Sequence, residues 1–140
     1  MPLWALWAVY GRALFAEKIE YLCRLTREAH GILLDQPDFE TLHQPEANIL
    51  CFRHRPAGFP ADPAEVHRLQ QRIRDRVRLR GTFFISKVNL DGVAALRVVM
   101  MNHQVTAEHF RLLLDEIRTV GRDLLATVAD SQCRQNGWES

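Results

Sequence analysis

Arg97 stands inside the apolar run Ala94-Ala95-Leu96-Arg97-Val98-Val99. A guanidinium is permanently charged and costly to bury unpaired. It is also planar, and can grip a carboxylate through two parallel hydrogen bonds. Such an arginine therefore asks for an anion, and an internal Asp or Glu is the first partner to consider. Arg53 closes a second apolar run, Ile49-Leu50-Cys51-Phe52, and a structural ion pair is expected for it. Amine chemistry rests on two lysines only, Lys18 and Lys87. Lys18 lies beside Glu17 and Glu20, and both lysines read as solvated surface residues.

Other chemistries find little support. The six histidines, His30, His43, His54, His67, His103 and His109, form no H-E-x-x-H or comparable pair, so no metal site is expected. Cys23, Cys51 and Cys133 are an odd number without C-x-x-C spacing, which suggests neither a zinc site nor a disulfide framework. There is no nucleophile elbow and no glycine-rich phosphate loop. Asn102 is expected to organise a turn, because its side chain bonds readily to nearby backbone. Arg68, Arg72, Arg74, Arg76, Arg78 and Arg80 crowd one segment, with Arg68, Arg72 and Arg76 on one face. Only Gln70 and Gln71 stand among them as base-reading amides, so a solvated face partly paired with Glu65 and Asp75 is preferred to a nucleic-acid surface.

The chain has 140 residues, 47% hydrophobic and 25% charged, with a net charge of +1. That is the composition of one ordinary globular domain. The small net charge argues against general affinity for nucleic acid or anionic membrane. The apolar stretch from Leu3 to Tyr10 is far short of the ~20 residues that span a bilayer, and Arg12 interrupts it, so a cytoplasmic protein is expected.

The elements that position these residues follow from periodicity. Trp4, Trp7, Phe15, Ile19, Leu22, Leu25, Ile32 and Leu33 recur at three- and four-residue steps, which predicts a helix over 3–34 with one apolar face. Asp35, Pro37 and Asp38 end it. Phe39 to Leu42 reads as a short edge strand and 48–54 as a mostly buried one. Asp62-Pro63-Ala64-Glu65 combines an acidic N-cap, proline at the first helical position and glutamate at the third. A helix over 63–80 follows, closed by Gly81. Asp91-Gly92 predicts a type I′ turn in a hairpin over 82–101. Thr106 caps a last helix over 106–126, and 127–140 reads as a polar tail. The result is a single α+β domain over 1–126, an antiparallel three- to four-stranded sheet with helices packed on one face.

This pattern resembles the C-terminal small domain of the group II pyridoxal-dependent decarboxylases, the family of aromatic-amino-acid, glutamate and diaminobutyrate decarboxylases. Trp4 with Gly11 is similar to the family's W-x-x-x-x-x-x-G helix. Ile49-Leu50-Cys51-Phe52-Arg53 with Pro56 is similar to its I-x-C/F-F-R-x-x-P strand. Gly81-Thr82-Phe83-Phe84-Ile85-Ser86, then Leu96-Arg97 with Asn102 and Thr106, resembles its G-x-F/Y-Y-I-S and L-R-x-x-x-x-N-x-x-x-T elements. The matches run from residue 4 to about 125 in the family's order. Val105 departs from a common threonine, and Lys87 from a threonine after Ile-Ser.

The resemblance implies an L-amino-acid carboxy-lyase using pyridoxal phosphate, and a family-typical dimer or other homo-oligomer. It also implies what is missing. The family's cofactor lysine, in a His-Lys pair, belongs to a large domain preceding the tryptophan helix. Neither Lys18 nor Lys87 has a histidine before it. No catalytic residue and no bound pyridoxal phosphate are therefore expected of this chain alone, which would need the large domain as partner. Within it, the resemblance assigns Arg97 to a substrate carboxylate and brings Asn102, with His103 and Gln104, near an active-site mouth. A stand-alone interaction or regulatory module of the same fold is the alternative, and nucleic-acid binding by the arginine helix a second.

Overall fold

The computed structural model describes residues 2–135, with side chains described as far as Asp130. Three helices and four strands alternate along the chain: α1 (Leu3–Leu34), β1 (Phe39–Thr41), β2 (Ile49–His54), α2 (Pro63–Arg80), β3 (Ser86–Leu90), β4 (Val93–Val99) and α3 (Ala107–Gln135). The strands form one antiparallel sheet in the order β1-β2-β4-β3. The architecture is the α+β layer read from the sequence.

Side chains alternate between the two sheet faces, and cross-strand partners share a face. Phe52 pairs with Leu96, and Leu50 with Val98. These four enter the core with Leu25, Ala29 and Leu33 of α1, Ile73 and Val77 of α2, and Leu114 and Ile117 of α3. Phe52 is fully buried, which stabilises the fold by about 1.5–3 kcal/mol. Its ring meets Phe39 and Phe110 edge-on, with centroids 5.9 and 6.1 Å away.

Local chemistry explains the element ends. The Asp62 carboxylate accepts a hydrogen bond from the Glu65 amide and Pro63 occupies the first turn of α2, while Gly81 takes the left-handed conformation that closes it. Asp91 and Gly92 both have positive φ, 53° and 77°, as a type I′ turn requires.

Two readings are corrected. The apolar face does not run the length of α1. Gly11 adopts φ 65° and ψ −174°, a conformation open to glycine, and divides the helix there. Before this break Trp4 is 74% and Trp7 52% exposed, and the buried face begins only at Leu25, with Ile19 exposed. The last helix continues to Gln135 instead of ending at 126. Polar residues beyond Thr127 include neither glycine nor proline before Gly137, so nothing in them stops a helix. The tail reading for 136–140 lies outside the described residues, as does the Cys133 side chain. No helix among the described residues is long and apolar enough to cross a membrane.

Candidate functional site

The sheet face opposite the helices carries Arg97. Its Cα partners are Cys51 on β2 and Ser86 on β3, so all three sit in one row across the sheet. The Arg97 Nε donates to the Ser86 hydroxyl at 2.9 Å, and that hydroxyl lies 3.3 Å from the Arg97 carbonyl, to which it donates. Ser86 thereby fixes the plane of the guanidinium while leaving its terminal nitrogens as donors. No carboxylate among the described residues makes an ion pair with Arg97. The internal Asp or Glu that its setting called for is not there. Arg97 is half-buried, and beside it burial pushes the Cys51 thiol up while the Arg97 charge pulls it down.

Arg53 makes no ion pair with any described residue either. Its Nε donates to the Ala94 carbonyl at 3.2 Å, and a terminal nitrogen donates to Leu90 at 3.2 Å and Val93 at 3.4 Å. It holds the β3–β4 hairpin against β2 through backbone oxygens. His43 completes the opposite edge: where β1 stops, its Nε2 accepts the Cys51 amide at 3.1 Å.

Asn102 is exposed, and its side chain accepts the Gln104 amide at 2.9 Å to organise the turn into α3. It borders an apolar pocket of about 390 Å³ with Phe84, Val99, Met101 and His109. His109 is a residue that sequence reasoning missed. Its Nδ1 accepts the Thr106 amide at 3.1 Å, doing from the third helical position what Glu does in a capping box.

The lysines are not brought to Arg97. Lys87 pairs with Leu96, so it shares the helix-side face at the sheet edge. Lys18 lies on α1 in a groove with Glu17, Glu20 and His103. Both are partly exposed and stand on different elements. The residues present do not assemble a pyridoxal phosphate site, which needs an amine, an acid for the ring nitrogen and a phosphate cradle in one pocket. Among the described residues no group of His, Cys, Asp or Glu could hold a metal ion.

A buried polar cluster also escaped the sequence. The Gln70 side chain accepts the His54 amide at 2.9 Å and donates to the His54 carbonyl at 2.8 Å. Gln70 lies between Leu69 and Ile73 on the buried stripe of α2, and a polar residue at a stripe position was the available signal. Its burial removes it from any base-reading role. His54 itself is buried; its Nδ1 lies 3.1 Å from the Asp38 carbonyl, and Asp38 is held in turn by Arg118.

This layered sheet is the fold of the small domain of pyridoxal-dependent decarboxylases. The chain is 27% identical over 128 residues to an acidic amino acid decarboxylase of Xenopus tropicalis, covering 86% of this chain and 25% of that protein. It is 25% identical over 117 residues to the L-2,4-diaminobutyrate decarboxylase of Acinetobacter baumannii, covering 84% of this chain and 22% of the relative. The crystal structure of Oryza sativa TDC with PLP and tryptamine superposes with a TM-score of 0.74 at 20% identity, over 87% of this chain and 25% of that one. No family model matches the sequence. The chain is thus similar in sequence and fold to a group II decarboxylase small domain, and spans about a quarter of the length of the relatives it matches.

Proposed function

We propose that the chain is the small domain of a pyridoxal-phosphate-dependent decarboxylase acting on an L-amino acid, and that Arg97 binds a substrate carboxylate. The carrying observation is an arginine with no internal carboxylate, oriented by Ser86 on the face away from the helices. Bidentate donation from the terminal nitrogens would fix the substrate's direction, a role lysine cannot fill. Asn102 borders the apolar pocket at one end of the sheet and would lie near the mouth of the assembled site. The cofactor, its lysine and the groups that tune it belong to a large domain outside these 140 residues. This chain alone lacks the cofactor lysine and is inactive, and the assembled enzyme is a cytoplasmic homo-oligomer.

Co-expression with the polypeptide encoded immediately upstream tests the reading. Carbon dioxide release from L-amino acids is expected only with both parts present. Arg97→Ala should raise KM by about 30- to 150-fold, equivalent to the ~2–3 kcal/mol of a charged hydrogen-bonded contact, and Arg97→Lys should not restore it. Release by this chain alone, or an imine absorbance band with pyridoxal phosphate that vanishes on changing Lys18 or Lys87, would overturn the proposal.

A second reading, a stand-alone interaction module, draws on the exposed Trp4 and Trp7 before Gly11. Self-association in solution, with no gain of activity from the upstream polypeptide, would favour it.

A further inference from the structure

The outer surface of the helix layer, on the other side of the sheet from Arg97, holds a groove of about 620 Å³ that neither the Arg97 site nor the cofactor chemistry uses. Its floor is Leu69 of α2 and Leu124 of α3, its far wall Leu125 and Val128, and its near wall the 56–60 loop with Phe59. Arg68 and Arg72 line one rim. Arg68 is engaged by Glu65, whereas Arg72 makes no ion pair with any described residue. One turn on, Arg76 makes none either, and Arg80 reaches Asp123 at 3.2 Å. At four-residue steps, Arg68, Arg72, Arg76 and Arg80 form a cationic row roughly 18 Å long.

We propose that this groove docks an acidic amphipathic segment of a partner protein, with apolar side chains on Leu69, Leu124 and Leu125 and carboxylates on Arg72 and Arg76. Charge complementarity selects this occupant. The whole chain is nearly neutral at +1, yet α2 carries six arginines against two acids, so the row is a local feature, with Arg72 at the rim of the trough and Arg76 one turn beyond it, neither ion-paired among the described residues. An apolar trough between two helices, flanked by charge, is the geometry that receives an amphipathic helix through anchors at three- and four-residue steps. A nucleic acid would meet the arginines but leave the trough empty, and of the two glutamines on α2, Gln70 is buried against His54. The groove is open to solvent and not an enclosed cavity, which suits a segment of chain better than an enclosed small molecule.

Fluorescence anisotropy on the full 140-residue chain tests this. The probe is a labelled 16-residue helical peptide with leucine at three- and four-residue steps flanked by glutamate, alongside the same peptide with lysine for glutamate and a sequence-scrambled control. The glutamate peptide should bind with a dissociation constant of micromolar order, and the lysine peptide should not. Arg72→Glu with Arg76→Glu should weaken the glutamate peptide about tenfold or more and admit the lysine peptide. Leu125→Asp, at a partly exposed position, should abolish binding of both, with circular dichroism expected to show unchanged helix content. Equal binding of ordered and scrambled peptides, or indifference to the arginine reversals, would overturn the proposal. So would displacement of the peptide by tighter-binding duplex DNA, self-association of the chain that Leu125→Asp removes, or binding that emerges only in Trp138→Ala, which would mark the chain's own 136–140 segment as the occupant.

Discussion

Arg118 on α3 grips Asp38, eighty residues earlier, with two hydrogen bonds: Nε to Oδ2 at 2.7 Å and a terminal nitrogen to Oδ1 at 2.9 Å. The same guanidinium donates to Asp115 at 3.1 Å and to Gln36, and lies 5.2 Å from the Phe39 ring centre. The middle of α3 is thereby tied to the turn between α1 and β1. Lysine offers one point charge and cannot reproduce this fork. Arg118→Lys should destabilise the chain by about 1–3 kcal/mol, since both partners are less than a third exposed. A urea midpoint equal to that of the parent would show that the pair is idle.

The pH dependence of stability follows from the same cluster. The Arg118 hydrogen bond and charge hold the Asp38 carboxyl below its ordinary range, although partial burial opposes them. Burial likewise depresses the His54 imidazole, against the pull of Asp38, so His54 is neutral in the fold. In both cases the unfolded chain binds the proton more readily, and stability must fall as pH falls. The His54 contribution is complete above the ordinary histidine value of 6.5 and is lost as pH drops from there through the folded value. The Asp38 contribution goes in a second, lower window, below 3.8. Urea midpoints taken from pH 7.5 downward should decline in these two steps, with Asp38→Asn removing the lower one. A midpoint that rose on acidification would contradict the assignment of His54.

Legibility followed the reach of the interactions. Asp62-Pro63-Ala64-Glu65 and Asp91-Gly92 act on backbone within a few residues, so a helix start and a hairpin turn could be read directly. The continuous apolar run Ile49-Leu50-Cys51-Phe52 marked a mostly buried strand, and the order of helices and strands marked the layer. The Gly11 break was hidden because its flanks share helical periodicity, and only a positive φ reveals it. Arg97 was recognised as chemically demanding, but the absence of a carboxylate around it is a property of the assembled sheet. Asp38, His54, Gln70 and Arg118 lie on four separate stretches, and no spacing rule joins them.

Gly121 has a purpose that Gly31 lacks. A Cβ at Gly121 would stand 2.9 Å from Cδ2 and Nε2 of the buried His54 ring, which Asp38 and Phe39 hold in place. A Cβ at exposed Gly31 would meet nothing within 4 Å. Alanine gains about 0.8–1 kcal/mol over glycine in a helix interior, and only Gly31→Ala should realise it. Gly121→Ala should cost about 1–3 kcal/mol net, the usual range for an overpacked core. Paired thermal melts decide the matter: both variants shifting Tm upward would mean that the ring moves aside freely.

Gln70 gives the sharpest test of how β2 is joined to α2. Its amide serves both polar groups of the His54 backbone, and it is fully buried, so water cannot replace it. Replacing it with methionine, of similar length and shape, keeps the buried volume filled but leaves one donor and one acceptor unmet. Each orphaned group costs about 1–3 kcal/mol, so Gln70→Met should lose about 2–4 kcal/mol despite its greater hydrophobicity. Gln70→Glu keeps an acceptor for the His54 amide but loses the donor to its carbonyl, and it buries a carboxylate that favours protonation. Its stability should therefore improve relative to the parent as pH falls, the reverse of the trend set by His54 and Asp38. Exchange of the His54 amide with deuterium, slow in the parent and accelerated in Gln70→Met, would report the lost bond directly. Unchanged exchange would mean that β2 is held by its strand neighbours alone.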